Sequence, residues 1–335
     1  MKKNNYFSSL DFFRGFCGYG VAITHLHAFV FNNIFMEYVS ILFVEFFFVL
    51  SGFVLYPQLL KVLNNSKNII IFFKRRWMRT LPLFVIILVS VSALTGNLLN
   101  ADFFKYFFLI QKTLPGIIQN DYYPVAWSLS IEEFYYIAFP LILINLNKKN
   151  FIMIIFLILL LIQFAKFFQG HNFNINFYRT GTFLRFDAIL LGFLIAHFIE
   201  KLIIFKKSSI LIFCFLVLTY LLKYKYFILN QNNEIIKFTF IIFLQLISSF
   251  TLLFFLQLES FFKNNKIKKF SLLISQQTYS IYLFHIILIY LIDRVEMNIL
   301  LANILYILTL FIASTLIYNY IEKPILKLRP KMKYD

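Results

Sequence analysis

Of 335 residues, 61% are hydrophobic and 14% charged, and the mean hydropathy is +0.78. A water-soluble domain is below half apolar and about a quarter charged, so an ordinary soluble fold is excluded. The net charge of +17 would suit nucleic acid, but the Lys and Arg lie in short stretches between apolar blocks, where they orient a chain and meet anionic headgroups; no nucleic acid partner is expected.

In chain order the apolar segments fall at roughly 10–30, 38–56, 81–96, 127–145, 150–168, 179–199, 208–222, 235–257, 276–292 and 298–320, most of them about as long as a bilayer core requires. The basic-apolar stretches 64–80 and 262–275, and 101–112 with Phe103, Phe104, Phe107 and Phe108, read as interfacial helices. The expectation is an all-α polytopic membrane protein of about ten transmembrane helices with short interfacial helices, a single domain over 1–335 with no soluble extension. Met1-Lys2-Lys3 before an apolar stretch imitates a signal peptide. That stretch holds Asp11, Arg14, His25 and His27 and lacks a clear small-x-small cleavage site, so it reads as a retained first helix. Cys17 and Cys214 both lie in apolar segments and argue neither a disulfide nor a metal site. With the N-terminus in the cytoplasm, 22 Lys and Arg fall on inner loops and tails and 8 on outer ones. That bias predicts a multi-pass protein with both termini cytoplasmic.

An ionisable group at membrane depth costs several kcal/mol and needs a partner or a task. Arg14 and His25 are eleven residues apart, which returns a helix to within about 20° of its starting direction, roughly 16 Å along the axis. Gly15, Gly18 and Gly20 between them leave room for another helix or a thin ligand. A snorkelling Arg and a His satisfied by a neighbouring helix is the plainer alternative. Glu132 and Glu133 enter the fourth segment five or six residues deep, about the level of His25, and Arg185 and Asp187 enter the sixth at similar depth. A His oriented by carboxylates suits a general base; the alternative is a charge network that only locks helices together. On the cytoplasmic side Arg75, Arg76 and Arg79 precede Pro82, and Arg forks bind phosphate bidentately, although such a run is also an ordinary inside signal. Only eight arginines are present, and five are Arg14, Arg75, Arg76, Arg79 and Arg185, which suggests that planar multi-donor geometry is needed there. Ser51-Gly52 reads first as helix packing, and Tyr279 equally as an interface aromatic.

Together these elements resemble the acyltransferase 3 family of bacterial membrane acyltransferases. The resemblance rests on Leu10-Asp11-Phe12-Phe13-Arg14-Gly15 with His25, Phe47 to Phe53, Arg75 to Pro82, Trp127 to Glu132, Arg185 with Asp187, Thr278 to His285, and Glu322-Lys323-Pro324. They run in order over nearly the whole chain. Phe134 stands where many relatives have Gln, and Glu45 falls in a variable region. The hydrolase-like extension frequent in the family is not in this sequence, so a second step is expected to need a partner.

The resemblance implies transfer of an acyl group, usually acetyl from acetyl-CoA, to a hydroxyl of an extracytoplasmic glycan or lipid-linked glycan such as O-antigen (lipopolysaccharide), capsule or exopolysaccharide. The setting implied is the bacterial cytoplasmic (inner) membrane. His25 would act as base or transient acyl acceptor. Arg14, Glu132, Glu133, Arg185 and Asp187 would complete the catalytic set, and Arg75, Arg76, Arg79, Ser51 and Tyr279 would hold the donor. Acyl-CoA enters as a substrate, with no permanently bound cofactor and no metal. Membrane lipid and polysaccharide-assembly proteins are the remaining partners. A transporter of polysaccharide or its lipid-linked precursor is the alternative, which would move its cargo without changing its mass.

Overall fold

The computed structural model describes residues 6–143, 146–202, 206–295 and 297–332; the Met1-Lys2-Lys3 start and Lys333 lie outside them. Among the described residues the chain is helical and carries no strand. The helices are α1 (Ser8–Phe29), α2 (Ile34–Asn64), α3 (Asn68–Leu94), the short α4 (Ala101–Phe107), α5 (Trp127–Leu143), α6 (Lys148–Gln169), the short α7 (Ile175–Thr180) and α8 (Phe186–Leu202). There follow α9 (Lys206–Leu222), α10 (Tyr224–Asn230), α11 (Glu234–Gln257), α12 (Glu259–Phe262), α13 (Asn265–Asp293), α14 (Ile299–Ile317) and α15 (Lys323–Lys327). Asparagine starts many of them. The side chains of Asn100, Asn147, Asn174, Asn264 and Asn298 each accept a backbone N–H from the first turn of the helix that follows, satisfying donors that lipid cannot.

Among the described residues, six helices are long and apolar enough to cross a membrane, and a seventh span is available if α9 and α10, bent by 54° at their junction, count as one. The chain is therefore an all-α, multi-pass membrane protein. The other expected spans are also helical, but Asp11, Arg14 and two histidines lower the hydropathy of α1, and α5 and α8 have only 17 residues each.

Two expected interfacial helices are instead parts of longer ones. Residues 68–80 continue through Pro82 into α3, and residues 265–275 continue into α13. Lys and Arg lower the local hydropathy, yet they are good helix formers, and no glycine stop separates the basic turns from the apolar ones. Pro324 does not end the helical structure among the described residues. A π-helical turn at Tyr318–Glu322 passes into α15, in whose first turn Pro324 needs no N–H partner.

The chain forms two compact units. The first comprises Met1–Ser51, Ile195–Leu229 and Ile242–Tyr318, the second Gly52–Leu194, Asn230–Ile241 and Asn319–Asp335. In the first, α1 lies along α13, which also meets α14. A Cβ at Gly15 would fall 2.4 Å from Ile274, and one at Gly18 3.0 Å from Thr278, so the space these glycines leave is filled by a helix. The Glu259 carboxylate caps α1 by accepting from Ser8 N (3.1 Å) and Ser9 N (2.9 Å), placing negative charge at the positive end of that helix.

In the second unit, Gly52 passes so close to α8 that a Cβ would sit 1.8 Å from the Ile189 carbonyl oxygen. Backbone cannot swing aside as a side chain can. Gly52→Ala is expected to cost at least about 1–3 kcal/mol, the range for overpacking, read as a lowered Tm of the detergent-solubilised protein.

A polar cap follows α3. Asp102 accepts from Lys105 (2.8 Å), Gln119 N (3.2 Å) and Asn120 N (2.8 Å), and Asn97 Oδ1 accepts from Asn100 (2.9 Å) and Asn120 (3.1 Å). Burial pushes the Asp102 carboxyl up, but Lys105 and the two backbone N–H groups outweigh it and hold it below the usual aspartate value of 3.8. A depressed folded-state value means that this group stabilises the fold above its unfolded value, and that the contribution is lost as pH falls through the folded one. Hydrogen exchange at the Gln119 and Asn120 amides should therefore be slow at neutral pH and accelerate below pH 3.8, and Asp102→Asn should remove that pH dependence.

Candidate active site

His25 lies one turn before the end of α1 and is half-buried; His285, in the middle of α13, is fully buried. The helix contact made close by Gly15 and Gly18 brings His25 Nδ1 to 3.0 Å from His285 Nε2, while His285 Nδ1 lies 3.1 Å from the Ile281 carbonyl oxygen. The proton positions follow by elimination. A carbonyl only accepts, so His285 Nδ1 carries a hydrogen; with that imidazole neutral, its Nε2 accepts, and His25 Nδ1 must donate to it. In a neutral His25 the relay leaves Nε2 as that ring's lone-pair nitrogen. His285 thus orients His25 through Nδ1. His285 closes the Thr278-to-His285 element of the sequence, but nothing in a single sequence pairs it with a residue 260 positions away.

Arg14 Nη1 lies 3.9 Å from Asp11 Oδ1, and Asp11 also accepts from Ser275 on α13 (2.9 Å) and from Tyr6. The Asp in the Leu10-to-Gly15 element therefore ties Arg14 to α13. Tyr279 is buried on α13, and Ser51 is half-buried on α2.

Glu132, Glu133, Arg75, Arg76, Arg79, Arg185 and Asp187 belong to the second unit. The arginines of α3 go separate ways. Arg75 donates to the Pro330 carbonyl (2.7 Å), whereas Arg76 donates to Gln58 (2.6 Å) and packs over the rings of Phe72 (5.6 Å) and Tyr136 (5.2 Å). Tyr136 in turn donates to Glu132 (2.7 Å), and Thr80, one turn beyond Arg76, donates to Glu133 (2.5 Å). The two glutamates of α5 and Arg76 of α3 thus form one cluster. Thr80 lies about 18 Å along α3 from its start and Glu133 about 9 Å along α5.

Arg185 and Asp187 do meet, at 3.6 Å, and Asp187 also pairs with Lys166 and accepts from Gln163 (3.0 Å); Arg185, Asp187 and Lys166 are buried. Lys166 reads in the sequence as an outer-loop charge. Its ring neighbour Tyr178, 5.9 Å from Lys166 Nζ, lies equally far from Nζ of Lys237, which donates to the carbonyls of Gly170 (3.0 Å) and Phe173 (3.1 Å).

Residues 7–319 match the acyltransferase 3 model, described as "Acyltransferase domain". The chain is 27% identical to O-acetyltransferase OatA of Staphylococcus aureus strain NCTC 8325 over 370 aligned positions, covering 98% of this chain and 58% of that protein. It is 29% identical over 221 positions to the putative O-acetyltransferase SACOL0978 of S. aureus strain COL, covering 58% of this chain and 35% of that one. The chain thus spans little more than half the length of the curated relatives it matches. No solved structure matches it.

Proposed function

Because the chain belongs to the acyltransferase 3 family, we propose that it transfers an acyl group, acetyl from acetyl-CoA, to a hydroxyl of a carbohydrate outside the cytoplasmic membrane. The observation that carries this reading is the Ile281–His285–His25 relay, which supplies an oriented imidazole with its lone pair at Nε2. Such a group takes the acceptor's hydroxyl proton as the oxygen attacks the thioester carbonyl. The tetrahedral intermediate then expels the thiolate, and the proton held at Nε2 passes to the leaving sulfur. In the covalent variant Nε2 attacks the thioester carbonyl and expels the thiolate; the acceptor hydroxyl then attacks the acyl-imidazolium, the N–acyl bond breaks, and the hydroxyl proton goes to the thiolate. In either route the positive charge that develops on His25 is shared with His285 through Nδ1–H.

In this proposal the chain crosses the membrane ten times with both termini cytoplasmic, a topology supported by the bias in Lys and Arg. The donor's phosphates would fall to Arg75, Arg76 and Arg79. Arg76 would exchange its Gln58 partner for a phosphate oxygen, a stronger charge-assisted bond. The relatives' names, O-acetyltransferase, support acetyl as the group moved.

The test is mass spectrometry of surface glycan from cells lacking the protein, complemented with wild type or with His25→Ala. An acetyl increment of about 42 Da, the mass the transfer chemistry adds, should appear with wild type and be absent with the variant. Unchanged glycan mass with wild type, and glycan retained inside the cell without the protein, would replace this reading with transport.

A further inference from the structure

Beyond the end of α1 the first unit opens into a groove of about 550 Å³, within the roughly 300–1,000 Å³ typical of ligand clefts. Its walls are the turn that joins α1 to α2 and one side of α10. Phe31, Asn32, Asn33, Phe35, Tyr224 and Lys225 contribute the rings, amides and charge. His25 is six residues before Phe31, so the groove begins on the order of 10 Å from the candidate base. The aromatic contacts run the same way, with Phe29 against His25 (5.3 Å) and Phe31 against His27 (5.5 Å).

The groove is built rather than incidental. The 54° bend after α9 turns α10 aside. Tyr38 and Tyr220, stacked at 4.2 Å, bind α2 to the end of α9 reciprocally: each hydroxyl donates to the other's backbone carbonyl, at 3.3 and 2.7 Å. Tyr224 then meets Phe35 edge-on at 4.9 Å. Asn32 adopts the left-handed conformation (φ 51°), which asparagine tolerates, and it is exposed. The side-chain Oδ1 of Asn33 accepts from Met36 N (3.1 Å) at the start of α2, which leaves its NH2 group as donor. Lys225 is exposed and counts among the few cations on the face that the positive-inside bias depletes.

We propose that this groove is an acceptor subsite that grips an anionic glycan. The faces of Phe31, Phe35 and Tyr224 lie against the C–H surfaces of sugar rings, the amides of Asn32 and Asn33 bond hydroxyls, and Lys225 pairs with an anionic substituent. Ring faces are electron-rich and attract the weakly positive C–H groups of a pyranose, while amides and a lysine give the polar complement that an acyl-chain groove would lack. A glycan held here reaches His25 with a hydroxyl about two sugar units along, which would make the acylated position depend on where the chain is gripped. The inference rests on the acyl-acceptor reading above.

The test uses purified full-length protein in neutral-lipid nanodiscs. The probes are surface polysaccharide from cells lacking the protein, a uronic-acid oligosaccharide and its neutral counterpart. Binding is measured directly and acyl transfer separately. Lys225→Gln should weaken binding of the uronic-acid oligosaccharide, but not of its neutral counterpart, roughly tenfold, the effect of one charge contact, and abolish the salt dependence of that binding. Tyr224→Ala should raise KM for the polysaccharide without lowering kcat. His25→Ala should leave binding intact. The proposal is overturned if Lys225→Gln binds the uronic-acid oligosaccharide as wild type does, or if anionic lipid in the nanodisc competes it off wholly. Because Lys225 is exposed, that variant keeps the test valid even where Tyr224→Ala fails to fold. Loss of transfer with intact groove binding in wild type would refute the acyltransferase reading alone.

Discussion

Replacing His25 with Ala should lower acyl transfer by about 10²–10⁴-fold, the range that a positioned general base supplies, while the protein remains folded and its Tm changes little. The expectation follows from the half-buried position of His25 and from the direction of its hydrogen bond to His285. His285 is argued to act through His25, so its replacement separates the roles. His285→Ala should reduce kcat by roughly 10–100-fold, as loss of an orienting partner does at other functional imidazoles, and leave KM for donor and acceptor unchanged. His285→Asn, which restores a hydrogen-bond acceptor for Nδ1–H, should recover part of that loss. A purely structural His285 would show the opposite pattern: a lowered Tm, kcat unchanged in the molecules that stay folded, and no rescue by Asn. Steady-state kinetics on the solubilised protein with purified glycan acceptor, alongside thermal unfolding, distinguish the two.

Asp187→Ala should destabilise the protein by about 3–5 kcal/mol, the cost of leaving buried charge without its counterion. One carboxylate is shared by Lys166 and Arg185, all three buried, so its removal takes that counterion from two cations at once. Adding Lys166→Met to Asp187→Ala removes one of them and should restore a large part of the loss. The measurement is the Tm of each variant in the same detergent. Activity of the double variant then decides what the cluster is for. Full turnover marks it as a lock between helices, whereas a stable but inactive protein places the carboxylate in the chemistry.

Much of this was legible in the residues alone, for reasons that differ from place to place. A composition too apolar for water, broken into blocks of bilayer length, requires helices in lipid, because only there are all backbone groups paired within the segment. The charged residues within those blocks stood out for the same reason, and Arg14, His25, Glu132, Glu133, Arg185 and Asp187 were found by their cost. Helix ends were less legible. The Lys-rich turns at the starts of α3 and α13 looked like separate interfacial pieces because hydropathy measures side chains, whereas a helix continues for as long as its backbone bonds do.

The sequence by itself therefore determined the solvent, the helical class, the set of expensive side chains and, through seven ordered elements, the family. The tertiary structure decided who partners whom. His25 meets His285 across 260 residues, Arg76 turns to Gln58 and Tyr136, and Lys166 proves to be a buried counterion of Asp187. Each pairing depends on which helices touch and at what rotation, and that is fixed by close approaches such as Gly15 on Ile274 and Gly52 on Ile189. Local propensity carries no information about such contacts, because a helix satisfies its backbone equally well at any rotation about its own axis.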